Sequence, residues 1–162
     1  MDQIKNYLYL FILFFCITSC NNKAVNFNNN LMNIQKSVLK EVQELGNKMR
    51  KINADSLPLT DIRSQSERIS SFINKKIKEA EKLNAPGKGG KLKTAILNQL
   101  AFEKDLVEKI GKLAQPDISN EEKAKIETEF LSSGEKAKEL EINIRADQEA
   151  FAKQYKFKLE NK

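Results

Sequence analysis

Residues 27–52 read FNNNLMNIQKSVLKEVQELGNKMRKI, and the positions of the apolar side chains in this stretch decide the fold. Phe27, Leu31, Ile34, Val38, Val42, Leu45, Met49 and Ile52 follow one another in steps of three or four. A helix turns once in about 3.6 residues, so these steps lay all eight side chains on one stripe, the pattern of a helix with one face in a core. Asn53-Ala54-Asp55-Ser56-Leu57-Pro58 breaks the stripe, and the spacing then returns three times. Leu59, Ile62, Ile69, Phe72, Ile73, Ile77, Ala80 and Leu83 make the second stripe, closed by the turn Asn84 to Gly90. Leu92, Ile96, Leu100, Val107, Ile110 and Ala114 make the third, widened by Phe102, Leu106 and Leu113 and ended by Gln115-Pro116-Asp117. Ser119-Asn120-Glu121-Glu122 is a capping-box pattern, in which the Ser119 hydroxyl accepts a helix-start N–H while the Glu122 side chain reaches back. It opens the fourth stripe, Ile126, Phe130, Ser133, Ala137, Leu140, Ile144, Asp147, Phe151 and Tyr155.

No stretch alternates with a period of two, so no sheet is expected. Four helices with short connections predict an all-α domain, an up-down-up-down antiparallel four-helix bundle over residues 27–162. A domain of that size buries roughly two-thirds of its unfolded surface and folds without metal or disulfide. Two details of the fourth helix carry expectations. Gly134 lies in a helix interior, where glycine costs about 1 kcal/mol against alanine. Counting from the turns sets Ser133 level with Phe102 and Phe72, so small residues are expected to face bulky rings, with a hinge as the alternative. The same counting places Ile144 opposite Asn29, Leu83 and Lys91 and leaves 145–162 as an overhang. Its Phe151 and Tyr155 are expected to pack on Phe27 at the start of the first helix.

The composition removes whole classes of chemistry. The 162 residues include no His, no Trp and two Cys. No His-based nucleophile pair, zinc-histidine site or facial triad can be built, so no catalytic, metal or cofactor site is expected and the chain reads as no enzyme. Both cysteines lie in the first twenty residues, MDQIKNYLYLFILFFCITSC. There Lys5 precedes an unbroken apolar run from Tyr7 to Ile17. A spanning helix needs roughly 20 apolar residues, so this shorter run fits the apolar segment of a signal peptide. Its end, Ile17-Thr18-Ser19-Cys20, resembles the lipobox of bacterial lipoproteins. That resemblance implies a lipoprotein signal peptide at 1–19, cleavage before Cys20, and a lipidated Cys20 followed by an Asn-rich tether over 20–26. Acyl chains contribute about 0.8 kcal/mol per buried CH2, and two or three hold a protein on a bilayer. By the same resemblance, Asn rather than Asp at position 21 favours the outer membrane, with the periplasmic and surface faces both open.

Charge is concentrated at one turn. Residues 75–93 hold Lys75, Lys76, Lys78, Lys82, Lys88, Lys91 and Lys93 against Glu79 and Glu81, most of the chain's formal net charge of +6. In an up-down bundle this connection returns to the side where the tether enters, which predicts a membrane-facing basic tip drawn to anionic headgroups. Gly87-Lys88-Gly89-Gly90-Lys91 lacks the spacing and the preceding strand of a phosphate loop, so nucleotide binding is not expected. Asp147, the one acid on the fourth stripe, is expected to pair with Lys88 or Lys91. The remaining glutamates interleave with lysines as solvated faces, and no stacking aromatics accompany the lysines as a nucleic-acid interface requires.

Ala24-Val25-Asn26-Phe27-Asn28 with Gln35, the turn from Ala85-Pro86 to Gly89-Gly90, and Phe151-Ala152-Lys153-Gln154-Tyr155-Lys156-Phe157-Lys158-Leu159-Glu160 resemble a family of uncharacterised bacterial surface lipoproteins of the leptospiral and Bacteroidota type. The resemblance spans nearly the whole mature chain. It implies a lipoprotein and a helical domain, with no activity or site. Together these readings lead us to expect a non-catalytic, lipid-anchored envelope protein, a structural or interaction module for an unknown envelope partner. The alternative is a carrier that holds a small apolar ligand beside the Phe72, Phe102 and Phe130 layer.

Overall fold

A computed structural model describes residues 2–52 and 59–159, and the side chains of 22–50 and 59–159. The side chains of Ile17 to Cys20 and the break at 53–58 lie outside the described residues. The chain is all-α: α1 (Asp2–Ile52), α2 (Leu59–Lys82), a 3-10 turn (Gly87–Gly89), α3 (Gly90–Leu113) and α4 (Asn120–Tyr155), with no strand among the described residues. No helix among the described residues is long and apolar enough to cross a membrane.

The stripes become the core. Leu31, Val38, Leu45, Ile69, Ile73, Leu92, Ile96, Leu100 and Val107 are its largest fully buried side chains. Each side chain of this size contributes about 1.5–3 kcal/mol when taken out of water. Leu59 departs from its stripe and is 51% exposed at the first position of α2. The Asn-rich stretch expected as a tether is helical, and Ala24, Phe27 and Asn28 are buried in it. The stripe runs one step further back than its large side chains reveal, because Ala24 lies three residues before Phe27 and is small enough to look neutral.

The register between helices follows from named contacts. Lys48 meets Gln65 and Arg68 meets Glu41 across α1 and α2. Ser70 donates to Glu108 across α2 and α3 at 2.9 Å, and the Lys93 ammonium donates to the Glu81 and Leu83 carbonyls at the end of α2. Lys109 joins α3 to α4 by reaching Glu129 at 2.8 Å while holding Asp105 at 2.7 Å. Hydrogen bonds from Lys109 to Asp105 and then Glu129 raise its pKa, and the same contact lowers that of Glu129. The Ser119 hydroxyl accepts from the Glu122 N–H at 3.1 Å, one half of the capping box, while the Glu122 carboxylate turns to Lys112 at 3.8 Å instead of reaching back.

α4 packs differently from the other three. Only Ile126, Ile144, Phe151 and Ala152 are buried on it, while Leu131 is 86% and Ile142 58% exposed. The expected match of small residues against rings at Ser133 and Gly134 is not what holds this helix. A Cβ built on Gly134 meets nothing within 4 Å, and the Ser133 hydroxyl turns back to the Phe130 carbonyl at 2.6 Å. Phe102 is half-buried and carries the Lys136 ammonium 5.4 Å above its ring. With no packing demand at Gly134, its flexibility is a plain cost. Gly134→Ala is therefore expected to stabilise by about 1 kcal/mol, read as a higher urea midpoint.

Candidate functional site

Three segments meet at one end of the helices: the first buried turn of α1, the connection from α2 to α3, and the last two turns of α4. Phe151 is the common contact. Its ring lies 5.6 Å from Phe27, 4.9 Å from Tyr155 and 6.0 Å from Phe157, in tilted or edge-on geometries that favour aromatic pairs. The expected docking of the C-terminal overhang on Phe27 is present, with Phe151 making the contact and Tyr155 stacked behind it. Gln148 donates to the Asn28 side chain at 3.1 Å one turn below.

The end of α4 is shaped to bring Phe157 back. Lys156 adopts φ 55° and ψ 38°, and the Phe157 N–H donates to the Ala152 carbonyl at 3.1 Å. This is the reversal that usually recruits glycine. Glycines supply the other half of the junction. Gly87 has φ 49°, a left-handed conformation, and the Tyr155 hydroxyl lies over it. A Cβ on the buried Gly89 would stand 2.9 Å from the Phe27 ring and 3.0 Å from the Phe151 ring. Gly89→Ala is expected to cost about 1–3 kcal/mol through overpacking, a loss opposite in sign to the Gly134→Ala gain. Equal midpoints for the two variants would show that the junction yields to an added methyl group.

The basic residues divide into two groups here. Lys93 is half-buried and committed to the α2 carbonyls, 2.5 Å from Glu81 and 2.9 Å from Leu83. Lys76 is half-buried, paired with Glu79 at 2.6 Å and set 5.5 Å from the Phe72 ring. Lys75, Lys78, Lys82, Lys88 and Lys91 are exposed and join none of the ion pairs among the described residues. Asp147 shares a surface cleft with Lys88 and Lys91, yet the expected salt bridge is absent among the described residues. The same cleft takes in Lys153 from α4, a residue that charge counting along α2 and α3 passes over.

A second polar feature lies inside the core. Gln35 of α1 donates to Gln99 of α3 at 2.5 Å, and Gln99 donates to Glu103 at 2.9 Å. All three are buried. Burial pushes the Glu103 carboxyl up to about 7, against the opposing pull of the Gln99 hydrogen bond, and its second oxygen has no partner among the described residues. Sequence reading missed this acid, although the third stripe held the signal. The step from Leu100 to Val107 is seven residues, and Glu103 fills the missing turn.

Five surface clefts of about 300 to 420 Å3 each carry charged residues in their linings, and Phe72, Phe102 and Phe130 line none of them. No group of three or more His, Cys, Asp or Glu gathers at metal-binding range among the described residues. Compared with known proteins, the chain matches no family model, no curated protein and no solved structure.

Proposed function

We propose that this chain is a non-catalytic, lipid-anchored protein of the cell envelope, held on the outer membrane through an acylated Cys20. Its helices would act as an up-down-up-down structural or interaction module for an envelope partner. The observation that carries the reading is the closeness of two boundaries. The Ile17-Thr18-Ser19-Cys20 pattern ends at residue 20, and the packed core of the described residues begins at Ala24. A chain cut before Cys20 keeps every buried side chain described here. The up-down order draws support from the contacts: partner numbers run in opposite directions across α1 and α2 (Glu41 with Arg68, Lys48 with Gln65). They do so again across α3 and α4 (Lys109 with Glu129, Lys112 with Glu122).

Ala24 lies four positions along the helix from Cys20, a rise of about 6 Å. In this reading the end that carries Phe27, Gly89 and Phe151 sits close to the bilayer. The exposed Lys75, Lys78, Lys82, Lys88 and Lys91 then meet anionic headgroups, each gaining about 1 kcal/mol near the surface. The family of surface lipoproteins that the chain resembles fits the same picture. The carrier reading draws no support from the clefts, none of which is lined by Phe72, Phe102 or Phe130.

Metabolic labelling with a palmitate analogue tests the anchor. The wild-type chain is expected to carry the label and sediment with membranes, and Cys20→Ala to lose both. An alanine variant that stays labelled and membrane-bound overturns the reading.

A further inference from the structure

The cleft between the start of α3 and the end of α4 has a composition that the rest of the surface does not explain. It encloses about 390 Å3 and is lined by Lys88, Lys91 and Lys153, with Asp147 and Gln154 beside them. Ala150 and Phe151 complete the wall, and Phe151 is buried. Lys88 and Lys91 are neighbours in sequence, and folding brings Lys153 of α4 to the same cleft. All three are exposed, and none joins an ion pair among the described residues. Lys76, Lys93 and Lys109, by contrast, are settled on carboxylates or carbonyls, and the exposed Lys75, Lys78 and Lys82 line none of the five clefts among the described residues.

We infer that this cleft is a binding site for a phosphate group. Three ammonium groups against one carboxylate leave a net positive cleft, and an apolar wall focuses that field. A metal cation is disfavoured by the sign of the charge, and the three lysines ask for an anionic group on whatever ligand enters. Among anions, phosphate offers several acceptor oxygens and up to two charges, so several ammoniums can each hold a separate oxygen. A carboxylate has only two. Asp147 opposes the anion and limits affinity, which gives the site a variant of opposite sign. The inference deepens the membrane-facing reading of this end and rests on it for a lipid headgroup as the source of the phosphate. Free phosphate in solution offers the same chemistry.

Lysine acylation rates, read residue by residue by mass spectrometry, test this on the full chain in phosphate-free maltoside micelles. Phosphatidylglycerol is added in one arm and inorganic phosphate in another. A several-fold slowing at Lys88, Lys91 and Lys153, with exposed Lys123 and Lys138 unchanged, is the expected result in at least one arm. Protection by phosphatidylglycerol alone assigns a headgroup, and protection by both assigns phosphate from either source. Unchanged rates in both arms overturn the site. Lys153→Gln is expected to remove the protection of Lys88 and Lys91, and Asp147→Asn to strengthen it. Protection that survives Lys153→Gln overturns the three-lysine cleft. The assay needs no acyl chain, so its failure leaves the Cys20 anchor standing, and a failed palmitate label leaves the cleft standing.

Discussion

Phe151→Ala is expected to cost about 3–5 kcal/mol, the usual range for deleting a buried ring. Three aromatic neighbours lose their common contact at once, and Gly89 loses the surface it was shaped to meet. A domain is stable by only about 5–15 kcal/mol, so a loss of that size consumes a large share. Deleting residues 150–162 should cost at least as much, because it removes Phe151 together with Ala152, Tyr155 and Phe157. Urea unfolding of the two variants beside the wild type measures both. Wild-type midpoints in both would mean that the C-terminal end rests on the bundle without supporting it, and would free it for a partner or a lipid surface.

The next largest effect belongs to Glu103. Its carboxyl lies near 7 in the folded chain against an ordinary value of 4.5, so the folded state holds its proton more tightly than the unfolded state. The stabilisation from that proton is complete below about pH 4.5 and is lost as the pH rises to about 7. A shift of this size corresponds to about 3 kcal/mol, taken at 1.36 kcal/mol per pH unit. The wild type should therefore lose stability between about pH 4.5 and about pH 7 and level off above, whereas Glu103→Gln should stay level across that range. The glutamine variant is also expected to be the more stable of the two at about pH 8, since it buries no charge there. Urea midpoints at a series of pH values decide it. Parallel curves for the two proteins would mean that water reaches the carboxylate freely.

How far the fold could be read beforehand depended on what each residue reveals by its type. The helices were legible because Leu, Ile, Val and Phe at steps of three and four mark a buried face without further information. The junction of Phe27 with Phe151 was legible as well: helix counting left large apolar groups at both chain ends of the domain with no other place to be covered. Polar interior positions were not legible by type. Ser66 and Glu103 each fill a seven-residue gap, Ile62 to Ile69 and Leu100 to Val107, and periodicity marks such positions without saying that a polar group tolerates them. Gln35 meets Gln99 across 64 residues of chain, a pairing that spacing within one helix cannot encode. The grouping of the lysines was half legible. Counting lysines along one segment found Lys88 and Lys91, included Lys93 although carbonyls already hold it, and passed over Lys153 because that residue arrives from another helix.

α4 is fastened near its two ends and carries little between them. From Ile126 to Ile144 no intervening side chain is fully buried, Leu131 points away from the core, and Gly134 faces open space. The Thr128, Ser132 and Ser133 hydroxyls all turn back onto carbonyls of their own helix, a habit that weakens and bends it. Local opening is cheap where few buried contacts are lost. Amide protons in this span are therefore expected to exchange with solvent ahead of those in the core, through openings that leave Ile126 and Phe151 seated. The helix behaves as a strap with two buckles, and its slack lies in the middle.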